Sequence, residues 1–346
     1  MLKQMSLGRL GASVGGLSRR VLHFFREGAT CPRGCCFPMG GNGSRLFHMK
    51  ILLFGKSGQV GWELQRSLAP LGQLVALSSA SREACGDLRD AAGIARTVRG
   101  IAPDVIVNAA AHTAVDKAES EPEVAEALNA AAPGVLADEA LRCGALLVQY
   151  STDYVFDGGG DRPWIETDAT GPLGVYGRTK LEGESAIRQS GCRHLIFRTS
   201  WVYAARGKNF AKTILKLAGE REKLTVIADQ IGAPTGAELL ADVTALAIRQ
   251  ARGEPGVSGL YHLAAGGETS WHGYATFLCE FARKSGVDLR VQTIEPVPGS
   301  AFPTPARRPL NSRLDTSKLR GTFDLNLPHW QTGVERMLRE ILPEKS

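Results

Sequence analysis

The residues of this chain best placed to do chemistry are Tyr176 and Lys180, in the run V-Y-G-R-T-K-L-E-G-E at 175–184. Four apart at helical pitch, they are stacked neighbours on one face. An ammonium beside a phenol favours the phenolate, so the spacing predicts a Tyr176 pKa pulled down from about 10 and a proton donor usable near neutral pH. Alone the pair is weak evidence, because Y-x-x-x-K arises by chance at many amphipathic helix starts. Ser151 or Thr152, closing an apolar run, could hydrogen-bond a substrate carbonyl. Tyr176 would then protonate the developing alkoxide while Lys180 held the phenolate and a ribose hydroxyl. That set points to hydride transfer to a ketone or from an alcohol.

Such chemistry needs a dinucleotide, and K-I-L-L-F-G-K-S-G-Q-V-G-W-E-L-Q-R-S-L (50–68) has the order that binds one. Ile51 to Phe54 is a continuous apolar run, the mark of a strand buried on both faces. Gly55, Gly58 and Gly61 follow, then Val60, Leu64 and Leu68 at helical spacing. The spacing is G-x-x-G-x-x-G; the glycines let backbone approach a pyrophosphate seated on the helix N-terminus. Further strands are expected at 74–77, 105–108, 145–156 and 194–203, with a long helix at 123–142. This β-α alternation predicts an α/β fold with a Rossmann-type, doubly wound parallel sheet and a ligand crevice at the carboxyl ends of the strands. Asn108 to Thr113, Ser151 to Asp153 and Trp201 all sit at such exits.

Beyond residue 220 the pattern is less regular: a strand and turn at 224–235, helices at 237–251 and 271–284, and a strand at 261–267 between them. Prolines 296, 298, 303, 305 and 309 mark a long loop over the substrate side, where specificity commonly resides. The expected organisation is a basic extension (1–48), a mainly dinucleotide-binding domain (49–220), and a smaller C-terminal substrate-binding α/β region (221–346) with some chain returning to the first domain.

The chain has 346 residues, 43% of them apolar, enough for one large or two medium cores. No apolar run approaches the roughly 18 residues that span a bilayer, so no membrane partner is expected. Residues 1–48 hold seven basic residues and one acid, Glu27, leaving 34 of the 41 basic and 34 of the 35 acidic residues to the rest. The formal +6 therefore belongs to the extension, and nucleic-acid binding by the neutral body loses its support. The extension lacks a secretory h-region, and its Cys31, Cys35 and Cys36 lack a fourth metal ligand at sensible spacing. It reads as disordered or as translated upstream sequence, with the functional chain starting at Met49. Cys85, Cys143, Cys192 and Cys279 are isolated, as reduced thiols of a cytoplasmic protein would be.

The glycine loop with S-T-D-Y-V-F-D-G and Y-G-R-T-K resembles the extended short-chain dehydrogenase/reductase superfamily. Within it, G-K-S-G-Q-V-G-W-E-L, N-A-A-A-H-T-A-V-D-K-A-E-S, R-T-S-W-V-Y, D-Q-I-G-A-P-T and P-T-P-A-R-R-P-L-N-S-R-L resemble the dTDP-4-dehydrorhamnose reductases, from Met49 nearly to the C-terminus. The resemblance implies reduction of dTDP-4-dehydro-6-deoxy-L-mannose to dTDP-L-rhamnose. It implies Thr152, Tyr176 and Lys180 as the catalytic set. Gly58, Gln59, Val60, Asp87, Leu88, Ala111, His112 and Thr113 match cofactor positions, alongside Gly55 and Gly61 of the loop. Asp153 and Trp201 match substrate positions, and Glu63, Glu238 and Glu340 match acids through which some members bind Mg²⁺.

Plainer roles stand beside these. Trp201 could be core or rim, Asp153 a turn cap, His112 structural, and Asp116 to Glu123 a solvated helix start. Without ligand spacing, Glu63, Glu238 and Glu340 read as surface carboxylates. Arg307 and Arg308 suit a sugar nucleotide's diphosphate, or are plain surface charges. The competing functions are a reductase or epimerase of another dTDP-4-keto-6-deoxy sugar, and a non-catalytic NADP-binding regulatory subunit; the intact Thr152/Tyr176/Lys180 set favours an enzyme. Nothing in the sequence opposes a homodimer. The second strand, L-V-A-L, runs into Ser78, Ser79, Ala80, Ser81 and Arg82 with no acid until Glu83, and Lys56 lies in the glycine loop. NADPH is therefore expected to serve at least as well as NADH, through a 2′-phosphate site built on these hydroxyls and cations.

Overall fold

Runs such as I-L-L-F, V-I-V-N and L-L-V-Q-Y are apolar at consecutive positions, so both faces of each strand need cover. The computed structural model describes residues 49–342; the extension 1–48, with Cys31, Cys35 and Cys36, lies outside the described residues. Six strands pair in parallel: β1 (Met49–Phe54), β2 (Gly72–Leu77), β3 (Val105–Asn108), β4 (Leu146–Thr152), β5 (His194–Thr199) and β6 (Gly259–His262). Their order is β6-β5-β4-β3-β1-β2, so the chain winds outward in both directions from the β1/β3 neighbours.

The helices that cover the sheet follow from its pleat. Ile51, Leu53, Val105 and Val107 point to one face, where they meet α1 (Gln59–Leu68). Leu52, Phe54 and Ile106 point to the other, under α2 (Ala91–Ile101), α3 (Ala132–Cys143) and α4 (Val175–Ser190). Alternate residues of each strand thus serve opposite cores. The first face is completed from the far end of the chain by α6 (Ala237–Gly253), through Leu240, Ala247 and Ile248, and by Leu319 and Phe323. A third core lies among α5 (Phe210–Glu220), α7 (Trp271–Lys284), α8 (Trp330–Ile341) and a parallel pair, 223–227 with 293–297. The C-terminal half is therefore shared: α6 and β6 belong to the sheet, while α7 and α8 build the third core.

Several expected elements are shorter than their apolar runs. The helix expected at 123–142 is interrupted by a π-helical turn at 127–131. Pro133 has no N–H to give the Asn129 carbonyl, so the ladder widens there. The run at 145–156 leaves the sheet at Thr152, whose hydroxyl accepts from the Tyr154 N–H and starts a 3₁₀ turn. The run at 194–203 breaks at Trp201, whose φ of 49° no strand tolerates; 202–203 then pairs with 235–236 instead. The strand expected at 261–267 ends at His262.

Candidate active site

The glycine loop closes on β1. Gly61 lies inside the first turn of α1, and a Cβ there would sit 2.0 Å from the Gly55 carbonyl oxygen, so no larger residue lets the loop fold back onto the helix. Gly58 caps α1 with no side-chain hydrogen bond. The first-turn N–H groups therefore keep their hydrogen-bonding capacity, which suits a diphosphate. A cavity of about 720 Å³ opens at the carboxyl ends of β1, β3, β4 and β5. Gly55, Gly58, Gln59, Val60, Asp87, Leu88, Ala111 and Thr113 line it, as do Thr152, Asp153, Tyr176, Lys180 and Trp201. These residues span more than 140 positions of sequence. Gly61 and His112 stand behind the lining: Gly61 under the loop, and His112 held through its backbone by Asn129.

The helix carrying Tyr176 and Lys180 reaches the cavity because Gly177 lets it press on the turn after β4; a Cβ there would come within 2.1 Å of the Tyr154 carbonyl oxygen. Tyr176 packs edge-on to Tyr154, ring centres 5.5 Å apart. Its pKa is not lowered as the spacing suggests. Burial pushes it up to about 12, against a smaller opposing pull from the Thr152 hydroxyl. Lys180 is buried as well: desolvation lowers its pKa to about 8, with Glu184 pulling the other way. Its Nζ donates to the Tyr150 carbonyl at 2.6 Å. The phenol is thus fully protonated at neutral pH, as a donor must be.

Ser151 and Thr152 both line the cavity but differ in where their hydroxyls point. Ser151 donates to Glu184 Oε1 at 2.5 Å, while Thr152 donates to Asp153 Oδ1 at 3.1 Å within the lining. Asp153 is buried, its Oδ2 makes no well-formed hydrogen bond among the described residues although the Ser312 hydroxyl is near, and burial raises its pKa to about 6 against the pull of Ser312 and Thr152. Thr199 Oγ1 and Ser200 Oγ, also on the cavity, are buried without partners too. Buried polar atoms are normally paired. Three such atoms on one wall suit a ligand rich in hydroxyls. Trp201 stacks on Trp271 with ring centres 3.6 Å apart, its strained backbone fixing the indole at the rim.

Sequence reasoning missed Asn129. From the π turn its side chain accepts from His112 N–H at 2.9 Å and donates to His112 O at 3.1 Å and Thr179 Oγ1 at 3.2 Å. It thereby ties the loop after β3 to the helix of Tyr176 and Lys180. Pro133 four residues on was the available signal. Thr199 and Ser200 were legible only as part of R-T-S-W-V-Y.

Other expected residues lie apart. Arg308 is bound by Asp116, through Nη2 at 2.8 Å and Nη1 at 3.3 Å, and outside the cavity lining; Arg307 is exposed. Asp116 does lie in the first turn of a partly exposed helix, 115–120, but it also accepts from Ala306 N–H and anchors the proline-rich loop, and Arg308 holds its carboxyl below the usual range. Arg82 is exposed and off the lining, Lys56 faces Glu83 at 3.8 Å, and Ser78 and Ser79 line the cavity. The Mg²⁺ expectation is not supported. Glu63 pairs with Arg66 and Glu238 with Arg336, Glu340 is exposed, and no cluster of three metal-ligating residues occurs among the described residues.

A glycine-loop Rossmann sheet that aims a threonine, a tyrosine and a lysine into one crevice defines the extended short-chain dehydrogenase/reductase class. The sequence profile described as the RmlD substrate binding domain matches residues 49–342. The dTDP-4-dehydrorhamnose reductase of Salmonella typhimurium is 63% identical over 293 residues, covering 85% of this chain and 98% of that protein. That of Shigella flexneri is 62% identical with the same coverage. The crystal structure of dTDP-4-dehydrorhamnose reductase from Bacillus anthracis in complex with NADP superposes with a TM-score of 0.78 at 31% identity, over 85% of this chain and 99% of that one. The chain belongs to the dTDP-4-dehydrorhamnose reductase family, and it is an oxidoreductase.

Proposed function

We propose that this enzyme reduces the C4 keto group of dTDP-4-dehydro-6-deoxy-L-mannose to give dTDP-L-rhamnose, with NADPH or NADH as reductant. The observation that carries the reading is the buried, protonated Tyr176 phenol sharing one cavity wall with Thr152 and Lys180. The glycine loop and free α1 N-terminus fit a dinucleotide diphosphate, and Asp87 and Leu88 line the cavity where an adenosine would extend. A bound reduced nicotinamide supplies the hydride to the carbonyl carbon. Thr152 hydrogen-bonds the carbonyl oxygen, and Tyr176 gives that oxygen its proton as negative charge develops. Lys180, when charged, stabilises the phenolate left behind and holds a ribose hydroxyl. Asp153, Thr199 and Ser200 offer unpaired atoms to the sugar, and the Trp201 indole offers a flat wall.

Among the described residues no helix is long and apolar enough to cross a membrane, and the free thiols of Cys85, Cys143, Cys192 and Cys279 suit a reducing cytoplasm. The test is to incubate the purified protein with the dTDP-4-keto sugar and NADPH and to identify the product by NMR. dTDP-L-rhamnose is expected; another C4 configuration, or no turnover, overturns the reading.

A further inference from the structure

Beneath the cavity floor lies an ion pair that the reaction above does not use. Arg198 on β5 donates from Nε to Glu184 Oε1 at 2.9 Å and from Nη2 to Oε2 at 2.6 Å. The Ser151 hydroxyl adds a third bond to Glu184. Both side chains are fully enclosed, at 1% and 2% exposure, and Arg198 lies against the Phe156 ring at 5.0 Å. Burying such a pair brings little net stability, since well-packed apolar residues of similar size often do as well. Its position is more informative. Glu184 is one helical turn beyond Lys180 on α4, and Lys180 is itself 4% exposed.

Resting on the proposed reductase reading, we infer that Glu184 is a positioning residue: clamped by Arg198 and Ser151, it supplies the fixed negative charge that keeps the buried Lys180 ammonium protonated for cofactor and phenolate. A buried lysine without a counter-charge loses its proton. Two guanidinium bonds and one hydroxyl bond hold the Glu184 carboxylate in place one turn from Lys180.

The groups around Lys180 leave little else to titrate above neutrality. Tyr176 shares its helix, with a pKa near 12, and Tyr150 from β4 is pushed higher still by burial. Asp153 at the exit of β4 titrates near 6, and Tyr154 beside it is raised by burial. Glu119 sits at the start of α4, accepting from Val175 N–H. His262 on β6, beyond Arg198, is held neutral, its pKa lowered to about 3 by burial and by Arg198. Between pH 7 and 10, Lys180 is the group that changes charge.

The test measures NADPH dissociation constants by fluorescence, and kcat/KM where turnover is present, from about pH 6 to 10. In the parent both should deteriorate through about pH 8. Removing the Glu184 charge lowers the Lys180 pKa further, so in Glu184→Gln the alkaline limb moves down by about one unit or more, and NADPH binding at pH 8 weakens about fivefold. Because Glu184→Gln strands the Arg198 charge and can unfold, the double variant Glu184→Gln/Arg198→Met is measured as well; it loses the positive charge too, so its limb should fall between those of the parent and Glu184→Gln. A purely structural role would weaken binding equally at every pH. An unmoved limb in a folded variant overturns the inference, whereas absent turnover with a shifted binding limb strikes only the proposed reaction.

Discussion

Asn129→Ala removes three hydrogen bonds with one side chain, and the structure fixes which groups are left behind. The His112 N–H and carbonyl lose their partner at 2.9 and 3.1 Å, while Thr179 Oγ1 keeps its own donation to the Tyr176 carbonyl at 3.1 Å. An orphaned buried polar group costs about 1–3 kcal/mol. Two such groups, in a segment that borders the cavity and can be partly rehydrated, give a loss of about 2–4 kcal/mol. For a chain of this size that is a Tm fall of about 4–10 °C. The loop 109–113 is also released from α4, so KM for the cofactor should rise several-fold more than KM for the sugar. Urea unfolding gives the first quantity and steady-state kinetics the second. Asn129→Asp sharpens the test. Its carboxylate still accepts from His112 N–H but opposes the His112 carbonyl, so burial raises its folded pKa above the unfolded value. Such a group favours the fold below its unfolded pKa and loses that contribution as pH rises through the folded one. The variant should therefore be weakest above neutrality and recover towards pH 4. A stability change under about 1 kcal/mol in Asn129→Ala with cofactor KM unchanged would refute the reasoning.

Tyr176→Phe should lower kcat by about 10² to 10⁴ while NADPH affinity, read by fluorescence titration, stays nearly constant; near-normal turnover removes the proton-donor role. Asp153, with its pKa raised to about 6, should put a bend near pH 6 in kcat/KM for the sugar, lower on the acid side, and Asp153→Asn should abolish that bend. NADPH should be used at least as well as NADH; since Ser78 and Ser79 line the cavity and Arg82 does not, Ser78→Asp should shift kcat/KM towards NADH far more than Arg82→Ala does. A large effect of Arg82→Ala and none of Ser78→Asp would show that the guanidinium swings in.

What the sequence made legible is what short stretches of chain decide. Ile51 to Phe54 with three spaced glycines, and Tyr176 with Lys180 one turn apart, are local patterns; their strand, loop and helix could be read before their neighbours were known. Where an apolar run leaves the sheet is not local. The break at Trp201 depends on its stacking with Trp271, seventy positions later, and the π turn at 127–131 on a carbonyl that Pro133 cannot serve. Arg308 illustrates the same limit: its motif suggested a diphosphate, but Asp116, nearly two hundred residues earlier, occupies it. Glu63, Glu238 and Glu340 are the converse case: matching positions alone suggested a metal, whereas Glu63 and Glu238 pair with arginines and Glu340 is exposed.

The sign of the Tyr176 shift is not legible from spacing, which gives proximity and not burial. Two groups one turn apart in water would pull each other's pKa values as expected; the same two in a dry crevice are governed by the cost of charging each. With Tyr176 near 12 and Lys180 near 8, the site at neutral pH holds a neutral phenol and a charged amine. That is the state needed to deliver a proton and then stabilise the anion left behind. In the opposite direction, alcohol oxidation, the tyrosine would have to begin as phenolate, and burial makes that form scarce. The protonation state set by burial therefore leaves the enzyme ready for ketone reduction at neutral pH, while the direction of net reaction stays with the substrates, the cofactor and the proton that reduction consumes.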